Sequence, residues 1–480
     1  MRIFMLGWEF PPFIAGGLGT ACYGLTKALA RAGHEVQFVL PRSIDRSHSS
    51  HVSLLSPDEL PHLPDDVLGR EFPPATGSTA SQGTLQTSTE IIERRGSRVE
   101  MIPVDAGFSS PYPEFSGGTT LALSQMIEQI HHDRQTGTIR IGGIELPTSS
   151  ATAAMLREAY RRKDELSAAE GHYGSDLFGD AQRYAFLCVA LAATRQFDVI
   201  HAHDWLTYPA GIAVRAMTGK PLVVHVHATE FDRSGDCVNQ SVYDIERAGM
   251  AAADRVIAVS QLTRNILVRR YGVPGEKIDV VYNGVDQDSA QPPTGAIIER
   301  DDKIVLFLGR ITMQKGPEYF IRAAKRVLEK VPNAKFVVAG SGDMALRMIN
   351  HAAELGIGQK VLFTGFLRGR DVKRIFDIAS CYVMPSVSEP FGIAALEAMH
   401  HDTPVIISKQ SGVSEVLSHA LKVDFWDVDE MANKIVAVLK YPPLSKTLRE
   451  HGALELRGLS WDGAAGKCVK TYARAIASHG

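Results

Sequence analysis

The chain is poor in the features that mark specialised protein classes. Its five cysteines, Cys22, Cys188, Cys237, Cys381 and Cys468, are scattered with no CxxC pair, which excludes a disulfide framework and a zinc ribbon. Charge of either sign is scarce as a surplus: 51 Lys and Arg against 54 Asp and Glu leave a net charge of −3. That gives no basic footprint for nucleic acid, although a local cationic pocket for a small anion remains compatible with it. No uninterrupted apolar run reaches the length of a membrane span. The opening RIFMLGW is too short for a signal h-region and has no cleavage pattern. A cytoplasmic enzyme without integral membrane association is the default expectation; the oligomeric state is not legible.

What is present is an ordinary globular balance, 45% hydrophobic and 22% charged over 480 residues, enough for two or three sizeable cores. Strand and helix patterns alternate through both halves, so each half should be a doubly wound parallel sheet of α/β class. Ligands of such sheets sit beyond the strand C-termini. The motifs weighed below lie in loops at those ends.

In the first half, residues 2 to 7 read as a buried strand, followed by the loop WEFPPFIAGGLGT, a helix from about 20 to 32 and the strand EVQFVLP. Gly16, Gly17 and Gly19 either let backbone N–H groups crowd against a phosphate or simply make a tight turn. A dinucleotide fold needs an acidic residue at the end of the second strand. Pro41 and Arg42 stand there, which counts against a dehydrogenase. From about 43 to 180 the alternation weakens, and the Ser, Thr, Gly and Pro content points to a long insertion with a disordered or mobile segment. Within it TIRIGGIEL suggests one strand of a small hairpin, and 151 to 168 has a helical pattern. Beyond it, the strands FDVIHAHDW and KPLVVHVH end in histidines. His201 and His203 share one face, as do His225 and His227. With Asp204 they could bind a metal, hydrogen bond in a polar cleft or merely pack. HAHDW lacks the HxHxDH spacing of a dinuclear site, so no metal is expected. The first domain should close near 286, with a polar linker over 287–300.

A second α/β unit spans 301–459. Its loop GRITMQKG carries Arg310 and Lys315. GSGDMA at 340 to 345 nominally matches a dinucleotide fingerprint, but the next strand ends in Thr364, Gly365 and Phe366, again without the ribose acid. Asp427-Val428-Asp429 precedes a helix near Glu430 and reads more simply as an N-cap with first-turn acids than as a metal motif. The stretch MPSVSEPFGIAALEAM, 384 to 399, joins a strand end to a helix start. Pro390 suits a first helical position, and Phe391, Gly392 and Ile393 then leave free N–H groups at the positive helix end for an anion. Glu389 and Glu397 flank the junction. Eight helical residues would set their backbones about 12 Å apart, beyond the roughly 5–9.5 Å carboxyl separations of glycosidases.

Taken together, GGLGT at 16–20, HAHDW at 201–205, VHVH at 224–227, YNGVD at 282–286, GRITMQKG at 309–316 and EPFGIAALE at 389–397 resemble one known family. It is the retaining, two-Rossmann-domain (GT-B type) glycosyltransferases that include glycogen and starch synthases and sucrose synthase relatives. The match covers nearly the whole chain outside the insertion. It implies a metal-independent transfer from a nucleotide sugar, UDP-glucose or ADP-glucose, to a carbohydrate acceptor, most simply an α-1,4-glucan, with no other cofactor. A related transferase acting on a cell-envelope, lipid-linked or small-molecule acceptor is the alternative. By the same resemblance Arg310 and Lys315 would neutralise the leaving diphosphate, assisted by Gly16, Gly17, Gly392 and Ile393. Glu389 would meet the donor sugar, Glu397 the ribose, and Phe366 and Leu367 the rest of the nucleotide. His227 would sit beside the reacting carbon, with Glu9, Asp204 and Trp205 on the acceptor side. A terminal helix from about 461 to 477, in the segment 460–480, would cross back onto the first domain. One departure is informative: starch synthases carry a Lys shortly before the double glycine, where Ile14 and Ala15 stand here, and this opens the choice of donor base.

Overall fold

A computed structural model describes residues 1–11, 16–41, 51–56, 177–193, 195–285 and 303–479, together with the backbone of 138–141 and 144–147. Two parallel sheets organise it. The first holds β1 (Arg2–Leu6), β2 (Glu35–Val39), β3 (Ser53–Leu55), β6 (Val199–His203), β7 (Leu222–Val226), β8 (Arg255–Ala258) and β9 (Ile278–Val280). Their order is β3-β2-β1-β6-β7-β8-β9. The second holds β10 (Lys303–Leu308), β11 (Ala334–Ala339), β12 (Val361–Gly365), β13 (Cys381–Met384), β14 (Val405–Ser408) and β15 (Leu421–Val423), in the order β12-β11-β10-β13-β14-β15. Runs such as VIHAH and LVVHV are buried at every residue, as strands covered by helices on both faces must be. The expected α/β class with two doubly wound sheets is what forms.

Several local expectations change. Ser53–Leu55 pairs parallel with β2, so the main sheet reaches into the stretch read as insertion. TIRIGGIEL supplies both strands of its hairpin, β4 (Thr138–Ile141) and β5 (Ile144–Pro147), paired antiparallel. The helical pattern at 151 to 168 lies outside the described residues. The glycine-loop helix starts earlier than its sequence pattern, at Gly17, and runs to Arg31.

The last helix, Trp461–His479, packs on the first domain. Trp461 lies against Gly24, where any side chain would strike the indole. Tyr472 reaches His201, with Oη 2.7 Å from Nδ1. Arg474 donates to Asp279 at 2.7 Å. A second tie between the domains is Glu415: its carboxylate accepts from the amides of Gln261 and Leu262 at 2.9 and 2.7 Å and from the Tyr282 hydroxyl at 2.9 Å. A carboxylate there meets the positive end of helix Gln261–Tyr271.

Candidate active site

Because every strand in each sheet is parallel, the loops that carry function leave from one edge. After β10 the chain makes a short 3₁₀ turn, Met313–Lys315, ending at Gly316 with φ 64°. A Cβ at Gly316 would collide with the Pro385 carbonyl, so glycine is what lets this loop lie against the end of β13. Lys315 Nζ thereby comes within 2.6 Å of Glu389 Oε2, which also accepts from Ser386 Oγ at 3.1 Å. Glu389 is 7% exposed; its charge is balanced by Lys315, which spares the cost of an unpaired buried carboxylate. Arg310 is exposed on the same loop, with no ion-pair partner among the described residues.

The helix after Glu389 begins at Ile393, not at Pro390. Gly392 is its cap residue at φ 108°, and a Cβ there would meet Met384 Cε at 2.8 Å. This left-handed turn at Gly392, a conformation that favours glycine, sets the helix start three residues beyond Pro390. The amides at Gly392 and Ile393 still open the helix, so the anion-binding geometry survives with one residue fewer than expected. Opposite stands the first domain's glycine loop. Gly16 and Gly17 are exposed, and a Cβ on Gly17 would lie 3.9 Å from Ile393 Cδ1. Two helix N-termini, one from each domain, therefore face a shared space. Gly19 is inside its helix and buried, so its amide is not part of this pair. Glu397 follows on the second helix, and burial pushes its carboxyl up to about 7. Phe366 is exposed beyond β12 with the Arg368 guanidinium 5.3 Å over its ring, while Leu367 packs against the second domain's core.

On the first domain the four histidines form a ladder. The rings of His201 and His203 stack at 4.2 Å, as do those of His225 and His227. His203 Nδ1 is 2.9 Å from His227 Nε2, and His201 Nε2 is 3.3 Å from His225 Nδ1. Burial lowers all four; His201 and His227 fall to about 3. Nitrogens of His201, His203 and His225 lie within 4.8 Å of one another. The planes of His201 and His225 lie 10° from parallel. Among the described residues the His203 and His225 Nε2 atoms have no hydrogen-bond partner, in keeping with neutral, packed rings.

Asp204 holds the loop after β7. Its Oδ1 accepts from the His227 amide at 2.7 Å, which fixes where His227 emerges, and its backbone takes φ 57° to do so. Burial raises its carboxyl to about 7 against that hydrogen bond. Glu9 is 4% exposed. Burial raises the Cys22 thiol, and the charges of Glu9 and Asp204 push it further. Trp205 is also 4% exposed, with Phe178 5.3 Å away. It packs in the first domain's hydrophobic core.

Residues that sequence reasoning passed over join the halves. Thr229 caps the short helix Glu230–Ser234 in a box with Asp232. The other oxygen of Asp232 accepts from Ser388 Oγ at 2.6 Å. The His227 loop is thus tied to the residue before Glu389. Thr-x-x-Asp is a capping signature in the sequence, but nothing there says its acid also reaches another domain. Behind it, Glu230 and Glu246 both bind Arg233. The arrangement can hold an anion between two helix ends and two cations, with a neutral imidazole and a paired carboxylate alongside.

Comparison with known proteins agrees with this architecture. The family of glycosyl transferases group 1 matches residues 295–454, Glycosyltransferase Family 4 matches 152–289, and the starch synthase catalytic domain matches 2–65. An uncharacterized glycosyltransferase of Methanocaldococcus jannaschii is 26% identical over 98% of both chains. A glycogen synthase of Mycobacterium tuberculosis is 26% identical, covering 87% of this chain and 80% of its own. A D-inositol 3-phosphate glycosyltransferase of Mycolicibacterium smegmatis is 30% identical over 59% of this chain and 68% of its own. Among solved structures, sucrose-phosphate synthase from Thermosynechococcus elongatus superposes with a TM-score of 0.65 at 19% identity and 99% coverage of both. Anabaena HepE, in complex with UDP and glucose, gives 0.60 at 15% identity, covering 98% and 99%. The chain belongs to the group 1 glycosyl transferases of GT-B fold.

Proposed function

We propose that this glycosyltransferase moves a glucosyl group, with retention at the anomeric carbon, from a nucleotide sugar to an α-1,4-glucan. The observation that carries the reading is the Lys315–Glu389 pair on a loop next to the helix that opens at Ile393, with the His227 loop tied to Ser388 through Asp232. A diphosphate seated at that helix end would meet Arg310 and Lys315 as the bond from the sugar C1 to its oxygen breaks. Charge developing on the leaving oxygen is then met by groups already in place. The acceptor hydroxyl attacks C1 from the same face, and its proton passes to the departing phosphate. Glu389, held by Lys315 and Ser386, accepts from donor sugar hydroxyls. Glu397 accepts from the ribose, with Phe366 and Leu367 toward the base. Neutral His227 lies beside the reacting carbon, and Glu9 and Asp204 orient the acceptor. Two cations and two helix ends supply the charge a metal would, so the reaction is proposed to need none.

UDP-glucose is favoured as donor by the relative whose structure holds UDP and glucose and by Ile14 and Ala15 standing where starch synthases carry a Lys; ADP-glucose is the second candidate. A small phosphorylated acceptor is a second reading, favoured by the similarity to D-inositol 3-phosphate glycosyltransferases. The test is nucleoside diphosphate release from UDP-glucose, ADP-glucose and GDP-mannose, with EDTA present and with or without glycogen. Glycogen-dependent release from one glucose donor establishes the reading. Release indifferent to glycogen but stimulated by inositol phosphate replaces it with the second.

A further inference from the structure

His203 and Asp204, neighbours at the end of β6, both hold His227. Asp204 Oδ1 accepts from the His227 amide at 2.7 Å, and His203 Nδ1 lies 2.9 Å from His227 Nε2. One residue therefore fixes the backbone and the other the ring. His203 is itself fully buried. The register of β6 on β7 sets it opposite His225, its ring stacks on His201 at 4.2 Å, and Thr207 Oγ1 donates to its carbonyl at 2.8 Å. Both rings of the His203–His227 pair are neutral, because burial lowers each, so their contact holds a single proton. If His227 supplied that proton from Nε2, the proton of His203 would sit on its own Nε2. That atom is buried without a hydrogen-bond partner among the described residues, and an N–H with no acceptor is the rarer defect in a protein interior. If His203 supplies it from Nδ1, only a lone pair goes unmet. His227 then carries its own proton on Nδ1, an atom of a half-buried ring with no hydrogen-bond partner among the described residues.

We infer that His203 is a positioning residue: it donates from Nδ1 to His227 Nε2 and locks His227 as the Nδ1–H tautomer, a hydrogen-bond donor to an oxygen of the bound nucleotide sugar. This rests on the donor-site reading above, which sets His227 beside the reacting carbon. A free histidine side chain prefers its proton on Nε2, and the partner of one ring nitrogen decides what the other carries. The lock therefore reverses the intrinsic preference. A bare lone pair on Nδ1 would repel a sugar or phosphate oxygen, whereas a proton there attracts it and attracts it more as negative charge grows on the leaving group. Because His203 never touches the substrate, its effect is carried wholly by the state of His227.

Nitrogen-15 NMR of the full chain, labelled in its histidine rings, tests the lock without any turnover, with the His227 signals assigned by their loss in His227→Gln. The expected wild-type spectrum has His227 protonated on Nδ1 and bare on Nε2. His203→Leu removes the donor and should move the proton to Nε2. His203→Asn places an amide N–H at about the height of Nδ1 and should keep the wild-type tautomer. Turnover of UDP-glucose with glycogen should follow the tautomer. His203→Leu should lower kcat about 10- to 100-fold, the worth of one hydrogen bond to developing charge, with KM for UDP-glucose changed less than about twofold, and His203→Asn should recover most of the loss. A wild-type His227 protonated on Nε2 overturns the inference, as does a His227 that keeps its Nδ1 proton in His203→Leu. A kcat as low in His203→Asn as in His203→Leu, with the tautomer retained, overturns the positioning role in favour of packing. No nucleotide release by the wild type from UDP-glucose, ADP-glucose or GDP-mannose refutes the donor-site reading separately, while the spectrum still decides the lock.

Discussion

At the scale of single residues, the site depends on charges that have been paired in advance. Lys315 neutralises Glu389 at 2.6 Å, while Arg310 is exposed and has no ion-pair partner among the described residues. Lys315→Ala and Arg310→Ala should each lower kcat about 10²–10³-fold, as for other lost transition-state charge contacts; near-wild-type turnover in either variant removes that residue from the mechanism. Buried titratable groups set the acid stability. Unfolded histidines take protons near pH 6.5, but in the folded chain His201 and His227 hold off until about 3. Their contribution is complete above pH 6.5 and is lost as pH falls. Asp204 and Glu397, raised to about 7, act oppositely and lose their contribution as pH rises through that value; burial raises Glu246 in the same direction. Below pH 6.5 the four histidines favour the unfolded chain, which takes up the protons that burial denies them in the fold. Thermal unfolding should therefore show a midpoint that drops between pH 6.5 and pH 5. His225→Gln should flatten that limb; an unchanged limb would mean the ladder is not neutral.

At the scale of elements, two local features that the sequence signalled formed as read. Asp427 accepts from the Glu430 amide at 3.0 Å as the cap of helix Val428–Lys440, because capping is decided within four residues. The histidines at i and i+2 stack because strand geometry puts them on one face. The start of helix Ile393–His400 was misplaced by three residues. The rule for proline at a first turn is local, whereas the contacts of Gly392 with Met384 and Val413 come from elsewhere in the fold. The final helix carries its own prediction. Gly24 exists to admit Trp461, so Trp461→Ala should destabilise the protein by about 3–5 kcal/mol, measured by urea unfolding. A loss below 1 kcal/mol would mean the helix is only loosely seated.

At the scale of the whole molecule, the candidate site belongs to neither domain alone. Its parts meet through Asp232 with Ser388 and through Glu415 with the Gln261 and Leu262 amides. A Ser388→Ala, Glu415→Ala double variant should keep both domains folded by circular dichroism. It should enlarge the radius of gyration in X-ray scattering and reduce kcat more than donor affinity. Identical scattering profiles would show that other contacts set the domain angle. The sequence by itself determined the alternation that makes two parallel sheets, the glycine-rich and cationic loops at their edges, and the residue types of the site, since periodicity, caps and turn glycines act over a few residues. Only the tertiary structure decided that Lys315 pairs with Glu389, that Trp205 turns into the core while Trp426 faces water, and that Asp232 reaches Ser388. Those outcomes depend on residues as far apart as 156 positions in the chain, and such distances are closed by the packing of whole elements.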